Sequence, residues 1–235
     1  EILRCLVGSE MCIRDRVCRN IFIVPWLYLK LCWYASHTNS IPVKKKMALL
    51  KTIVGYANRG GNVEIKAYGV ENIPSEGSFM FFPNHQGLYD VLAMIETSPI
   101  FFSVVVKKEL MKIGFLRTVF KIMGAYAIDR EDVRQSMKVI QSVSEDVKNG
   151  KSFLIFPEGT RNRNESDLEL LEFHEGSFRL ATKTDCLIVP IAMNNTVSIF
   201  EKQFPKIRKN HVVLEYCKPF RPSELSKEDQ KHIGE

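Results

Sequence analysis

Two short apolar runs constrain the fold of this chain more than any other feature. Ser78–Phe82 and Ser152–Phe156 are rich in aromatic and aliphatic side chains, stop at Pro83 and Pro157, and give way at once to polar clusters. Runs of this length and content read as buried strands. Proteins that alternate such strands with helices place their functional groups just outside the strand ends.

The rest of the chain supports that alternation. Val63–Gly69 has the period of a strand, and Asn72–Gly77 is turn chemistry. Residues 89–97 read as helix, Phe101–Val106 as strand, and Glu109–Met123 as a helix ending near Gly124. Ala125–Ile128 is a short strand. Asp132–Lys148 is an amphipathic helix, with Val133, Met137, Ile140, Val143 and Val147 at helical spacing. Gly176–Thr182 reads as helix, and Leu187–Met193 and His211–Tyr216 as strands. The expected fold is α/β, with a mixed, largely parallel sheet flanked by helices.

Three segments are expected. Residues 1–20 mix apolar side chains with Arg4, Arg14, Asp15, Arg16 and Arg19 at no regular period, and Val7–Arg16 resembles translated adapter sequence. They read as a non-native or unstructured leader. Residues 21–47 open on an apolar, aromatic run interrupted by Pro25 and Lys30. That run is shorter than the ~20 residues of a spanning helix. Trp26, Tyr28, Trp33 and Tyr34 are types that favour the membrane–water boundary, so a membrane-associated helical segment is expected. The alternative is a helix packed on the domain. Lys44–Lys46 suit either anionic headgroups or a solvated linker. Residues 48–235 form the main domain. Within it, Glu109–Met123 pairs an apolar face with Lys112, Arg117 and Lys121, which fits membrane docking as well as core packing.

Charge decides little. The chain has 33 Lys and Arg against 27 Asp and Glu, a net +6. That suits an anionic ligand, a membrane face or nucleic acid alike. No nucleic-acid motif, G-x-S-x-G elbow or Walker loop is present, so nucleic-acid binding, serine hydrolysis and nucleotide hydrolysis lack support. The six cysteines show no C-x-x-C spacing, so neither a disulfide framework nor a metal site is expected, and a reducing compartment follows.

The polar clusters carry the chemistry. After the first strand, Asn84-His85-Gln86-Gly87-Leu88-Tyr89-Asp90 offers a histidine and a carboxylate. A carboxylate can hold one imidazole tautomer and stabilise the imidazolium. Five helical steps would set the two side chains about 140° apart, so they meet only if His85 precedes the helix; Gly87 permits the turn. Taken alone, His-x4-Asp fits a structural histidine beside an unrelated Asp equally well. After the second strand, Glu158-Gly159-Thr160-Arg161 combines a carboxylate, a permissive backbone, a hydroxyl and a guanidinium suited to phosphate. Gly124–Arg130 delivers a second arginine, and Arg130 and Arg161 are expected to converge on one anion.

These blocks, together with Val189-Pro190-Ile191, stand in the order found in the glycerolipid acyltransferases, the family that includes the 1-acylglycerol-3-phosphate acyltransferases. The chain resembles that family over roughly residues 63–217. The resemblance implies a glycerolphosphate acyltransferase-like fold and transfer of an acyl group to the hydroxyl of lysophosphatidate, with glycerol 3-phosphate or another lysophospholipid as alternative acceptors; a non-catalytic lipid-binding protein is the alternative from another class, and an intact His85 and Asp90 speak against it. It implies His85 as general base, oriented by Asp90, with Arg130, Gly159, Thr160 and Arg161 at the glycerol-phosphate end and Glu158 organising the site. No cofactor is implied; acyl-CoA or acyl carrier protein is the co-substrate, and the cytoplasmic face of a membrane is the location. One departure is plain: many members have F-K-x-G where this chain has Phe173-His174-Glu175-Gly176.

Overall fold

The protein is described by a computed structural model that covers residues 23–129, 131–163, 169–202 and 208–234. The leader expected over residues 1–20 lies outside the described residues, as does Arg130.

Seven strands form one sheet in the order β1-β7-β6-β2-β5-β3-β4. They are β1 (Val63–Tyr68), β2 (Phe79–Pro83), β3 (Ser103–Lys107), β4 (Tyr126–Ile128), β5 (Phe153–Leu154), β6 (Leu187–Asn194) and β7 (Asn210–Tyr216). From β6 to β4 every neighbour is parallel; β7 pairs antiparallel with β6 and parallel with β1. The sheet is therefore mixed and largely parallel, as expected from the β-α-β order.

The helices are α1 (residues 23–36), α2 (Val43–Gly61), α3 (Asp90–Thr97), α4 (Gly114–Met123), α5 (Val133–Lys148), α6 (Glu175–Thr184) and α7 (Val197–Phe200). Residues of α1 to α4 pack on one face of the sheet and residues of α5 and α6 on the other. The pleat sorts the β2 side chains between the layers: Phe79 and Phe81 join the first cluster, Met80 and Phe82 the second. Every position of β2 is buried, which is why the run shows no alternation. Beyond β6 no helix among the described residues covers the second face. There β7 alternates buried Val212, Leu214 and Tyr216 with exposed His211, Val213 and Glu215.

The apolar run near the start becomes α1, with both faces in use. Leu27, Leu31 and Ala35 recur at four-residue spacing and are buried in the core. Val24, Trp26, Leu29 and Trp33 are exposed. No helix among the described residues is long and apolar enough to cross a membrane. The helix α2 runs unbroken across the 47/48 division drawn from the sequence and carries Lys44–Lys46 in its first turns. Asn58 of α2 accepts a hydrogen bond from the buried Tyr89 hydroxyl. Burial pushes that phenol far above its ordinary range.

The helix expected over Glu109–Met123 is two pieces. A 3-10 turn covers Lys108–Lys112, Ile113 is extended, and α4 begins at Gly114. Glycine is a poor interior helix residue and tolerates the break. Phe120 and Met123 face the core, whereas Ile113 and Phe115 face solvent. The expected stripe on α5 also divides. Val143 and Val147 are buried, but Val133 and Met137 are exposed.

Candidate active site

The strands β2 and β5 are parallel neighbours whose chains leave in opposite directions. After β2 the chain enters α3 on one face; after β5 it enters α6 on the other. Diverging connections open a crevice at the strand ends. Both polar clusters lie there, and a third connection, from β6 into α7, joins them.

Asn84 anchors the first loop. Its side-chain amide donates to the Met193 carbonyl at 3.0 Å, and its side-chain oxygen accepts the Met193 N–H at 2.6 Å. The asparagine thereby continues the β2–β6 ladder past Pro83, which has no N–H to give.

His85 follows, ahead of α3, and is clamped on both sides by the loop after β5. Its N–H donates to Glu158 Oε1 at 2.9 Å, and its carbonyl accepts from the Asn162 N–H at 2.7 Å. The imidazole stacks on Phe156 with ring centres 3.9 Å apart. Its Nδ1 lies 2.7 Å from Asp90 Oδ2. A carboxylate accepts, so a proton sits on Nδ1, and in the neutral imidazole Nε2 is then the nitrogen with the lone pair.

Asp90 is the first residue of α3 and is completely buried. Besides His85, Oδ2 accepts the N–H groups of Gln86 at 2.8 Å and Gly87 at 3.1 Å. Its Oδ1 accepts the Thr196 hydroxyl. Thr196 also donates its N–H to Gln86 Oε1 at 3.2 Å. A carboxylate so supplied with donors, at a helix N-terminus, is fixed as an acceptor.

The role expected of Gly87 changes. Its φ is not among the positive values, so the turn does not demand glycine. Space is tight instead: a Cβ there would lie 2.9 Å from Glu201 Oε2, the movable end of a side chain, and 3.2 Å from Val197 Cα. Gly159 does need glycine, because its φ is +66°.

Glu158 is buried, with Oε1 on the His85 N–H and Oε2 without a hydrogen-bond partner among the described residues. Burial pushes its carboxyl above the usual range, and the His85 N–H pulls the other way. Thr160 is exposed. Arg161 is half-buried, and its Nη1 donates to Glu201 Oε1 at 3.0 Å. The convergence of Arg130 with Arg161 falls outside the described residues. His174 is exposed at the start of α6. Its N–H donates to the Pro157 carbonyl at 2.9 Å.

Thr196 and Glu201 have no counterpart in the sequence reading. Thr196 lies more than a hundred residues from Asp90, in a connection without periodicity. It is also testable. Thr196→Val keeps the shape but removes a donor to Asp90. It is expected to lower kcat by about tenfold, since a hydrogen bond to a charged group is worth ~1.5–3 kcal/mol, while Thr196→Ser restores activity. Equal kcat for valine and threonine, measured under saturating substrates, would remove Thr196 from the orienting set.

A base with a free ring nitrogen, an orienting carboxylate and a nearby guanidinium suit proton abstraction from a hydroxyl beside an anionic group. Residues 64–194, more than half of the chain, match the family described as Acyltransferase, and the chain belongs to that family. Its fold is shared with the crystal structure of the 1-acyl-sn-glycerophosphate (LPA) acyltransferase of Thermotoga maritima. The TM-score is 0.69 at 23% identity, over 93% of this chain and 92% of that one. A 1-acyl-sn-glycerol-3-phosphate acyltransferase of Saccharomyces cerevisiae is 29% identical over 174 residues, 74% of this chain and 56% of the relative. One from Borreliella burgdorferi is 33% identical over 140 residues, 60% of this chain and 55% of the relative. The chain thus spans about half the length of the curated relatives it matches.

Proposed function

We propose that this protein transfers a fatty acyl group from an acyl thioester, acyl-CoA or acyl carrier protein, to the sn-2 hydroxyl of lysophosphatidate, giving phosphatidate. The observation that carries the reading is the 2.7 Å His85–Asp90 pair set beside Arg161, in a chain of the acyltransferase family. His85 Nε2 takes the hydroxyl proton as the oxygen attacks the thioester carbonyl. The tetrahedral intermediate then expels the thiolate, which receives that proton from the imidazolium. Arg161 holds the acceptor phosphate, with Arg130, Gly159 and Thr160 assigned to the same end. The test is an acyl-transfer assay with lysophosphatidate, glycerol 3-phosphate and other lysophospholipids as acceptors, each with both donors. Transfer to another acceptor without transfer to lysophosphatidate would reject the reading. The panel matters because His174 stands where many members have lysine.

The outer face of α1 supports association with a membrane, assigned here to the cytoplasmic side. Trp26, Leu29 and Trp33 are exposed, and Tyr28 stacks on Phe115 of α4, with ring centres 6.5 Å apart. That joins two apolar edges next to Arg117. Aromatic side chains on such a surface sit at the headgroup boundary. The double variant Trp26→Ser/Trp33→Ser is expected to weaken binding to anionic phospholipid vesicles by about tenfold or more. Co-sedimentation measures it, and unchanged binding would remove α1 from the docking surface.

A further inference from the structure

The third connection of the site does more than hold Asp90. Just past α7 stands Glu201, whose single oxygen Oε1 accepts two donors from two other connections. The Leu88 N–H lies 2.9 Å away and Arg161 Nη1 3.0 Å away. Leu88 stands two residues before Asp90, in the loop that carries the base. Arg161 lies in the loop that clamps His85 on both sides, between Glu158 and Asn162. The other oxygen, Oε2, fills the space that a side chain on Gly87 would need.

We propose that Glu201 is a positioning residue: it holds Arg161 and the His85 loop in one register, so that the acceptor phosphate and the acceptor hydroxyl are presented together. The assignment rests on the proposed reaction with a phosphate-bearing acceptor. A guanidinium has five N–H donors in a planar fork. Glu201 engages one of them, which fixes the plane and leaves another edge for phosphate oxygens. Both side chains are partly exposed, at 33% and 26%. A pair this exposed is weak by itself, so a phosphate dianion can share the arginine. Glu201 stays in place meanwhile, because the Leu88 N–H holds the same oxygen. The reach between strands explains the need for such a residue. The loops leave β2, β5 and β6 separately, and a misplacement of about 1 Å between base and anion site can cost on the order of 10²-fold in rate.

The test compares Glu201→Ala, Glu201→Gln, Glu201→Asp, Arg161→Ala and the Glu201→Ala/Arg161→Ala double variant. Glu201→Ala is expected to raise KM for lysophosphatidate about tenfold, with kcat changed less, as befits a lost charge-assisted hydrogen bond. Glu201→Gln, whose amide oxygen accepts both bonds, stays within about threefold of the parent protein. Glu201→Asp keeps the charge but falls one methylene short, so its KM rises as well; it also serves if the alanine variant does not fold. In the Arg161→Ala background, Glu201→Ala adds no further rise. An unchanged or lowered KM in both the alanine and aspartate variants, or the same rise without Arg161, overturns the assignment. Calorimetric binding of glycerol 3-phosphate on the same variants separates the two claims. A parent protein that binds this anion but acylates no lysophosphatidate rejects the proposed reaction and leaves the binding cycle to judge Glu201. A parent protein that neither binds the anion nor acylates lysophosphatidate rejects both.

Discussion

His85→Ala is expected to lower kcat for acyl transfer by about 10²–10⁴-fold, the range for loss of a general base, in a protein that still folds. The fold survives because the backbone at this position does most of the structural holding. The N–H bond to Glu158 and the carbonyl bond from Asn162 do not involve the imidazole. The ring itself stacks on Phe156 and is partly open to solvent. Losing that stack costs ~0.5–1.5 kcal/mol. Asp90 keeps its donors from Gln86, Gly87 and Thr196, so no buried charge is stranded. Steady-state kinetics with a thermal melt on the same sample decides. A parent-like kcat at a parent-like Tm would show that His85 is not the base.

Asp90 behaves differently, because its carboxylate serves the fold as well as the imidazole. Asp90→Ala leaves the N–H groups of Gln86 and Gly87 and the Thr196 hydroxyl without their acceptor, inside a fully buried site. Each buried donor left unpaired costs ~1–3 kcal/mol. The sum over the three, ~3–9 kcal/mol on that scale, is a large share of the ~5–15 kcal/mol that holds a typical domain together. A marked fall in Tm is therefore expected along with loss of activity. Asp90→Asn keeps the size and one accepting oxygen, so it folds better. Its amide cannot favour the Nδ1–H tautomer or stabilise the imidazolium as a carboxylate does, and kcat is expected to fall by about 10²–10⁴-fold. An alanine variant that melts with the parent protein would mean that the network carries little of the stability.

The contrast between these two residues shows which parts of the site were legible. His85 and Asp90 lie five apart, so helix geometry alone requires the histidine to precede the helix if the two are to meet, and the structure places it there. Gly87 was legible as a special position for the wrong reason. A sequence shows a glycine, but whether φ or space requires it depends on what packs against it, here Glu201 and Val197. The apolar run at residues 21–35 could not be divided into inward and outward faces, because it is apolar all round. Only packing against the core separates Leu27 and Leu31 from Trp26 and Trp33. The break at Ile113 went unseen because the apolar spacing continues across it.

Local periodicity is a property of neighbouring residues, so it exposed the strands, most of the helices and the two polar clusters at the strand ends. Hydrogen-bond partners across the sheet are not local. Asn84 meets Met193, Asp90 meets Thr196, and Leu88 and Arg161 meet Glu201. All these contacts arise because β6 and β5 flank β2 in the folded sheet. That order follows from how the helices cover the two faces, a balance over the whole core, and it leaves no repeat or spacing in the chain for a reader to find.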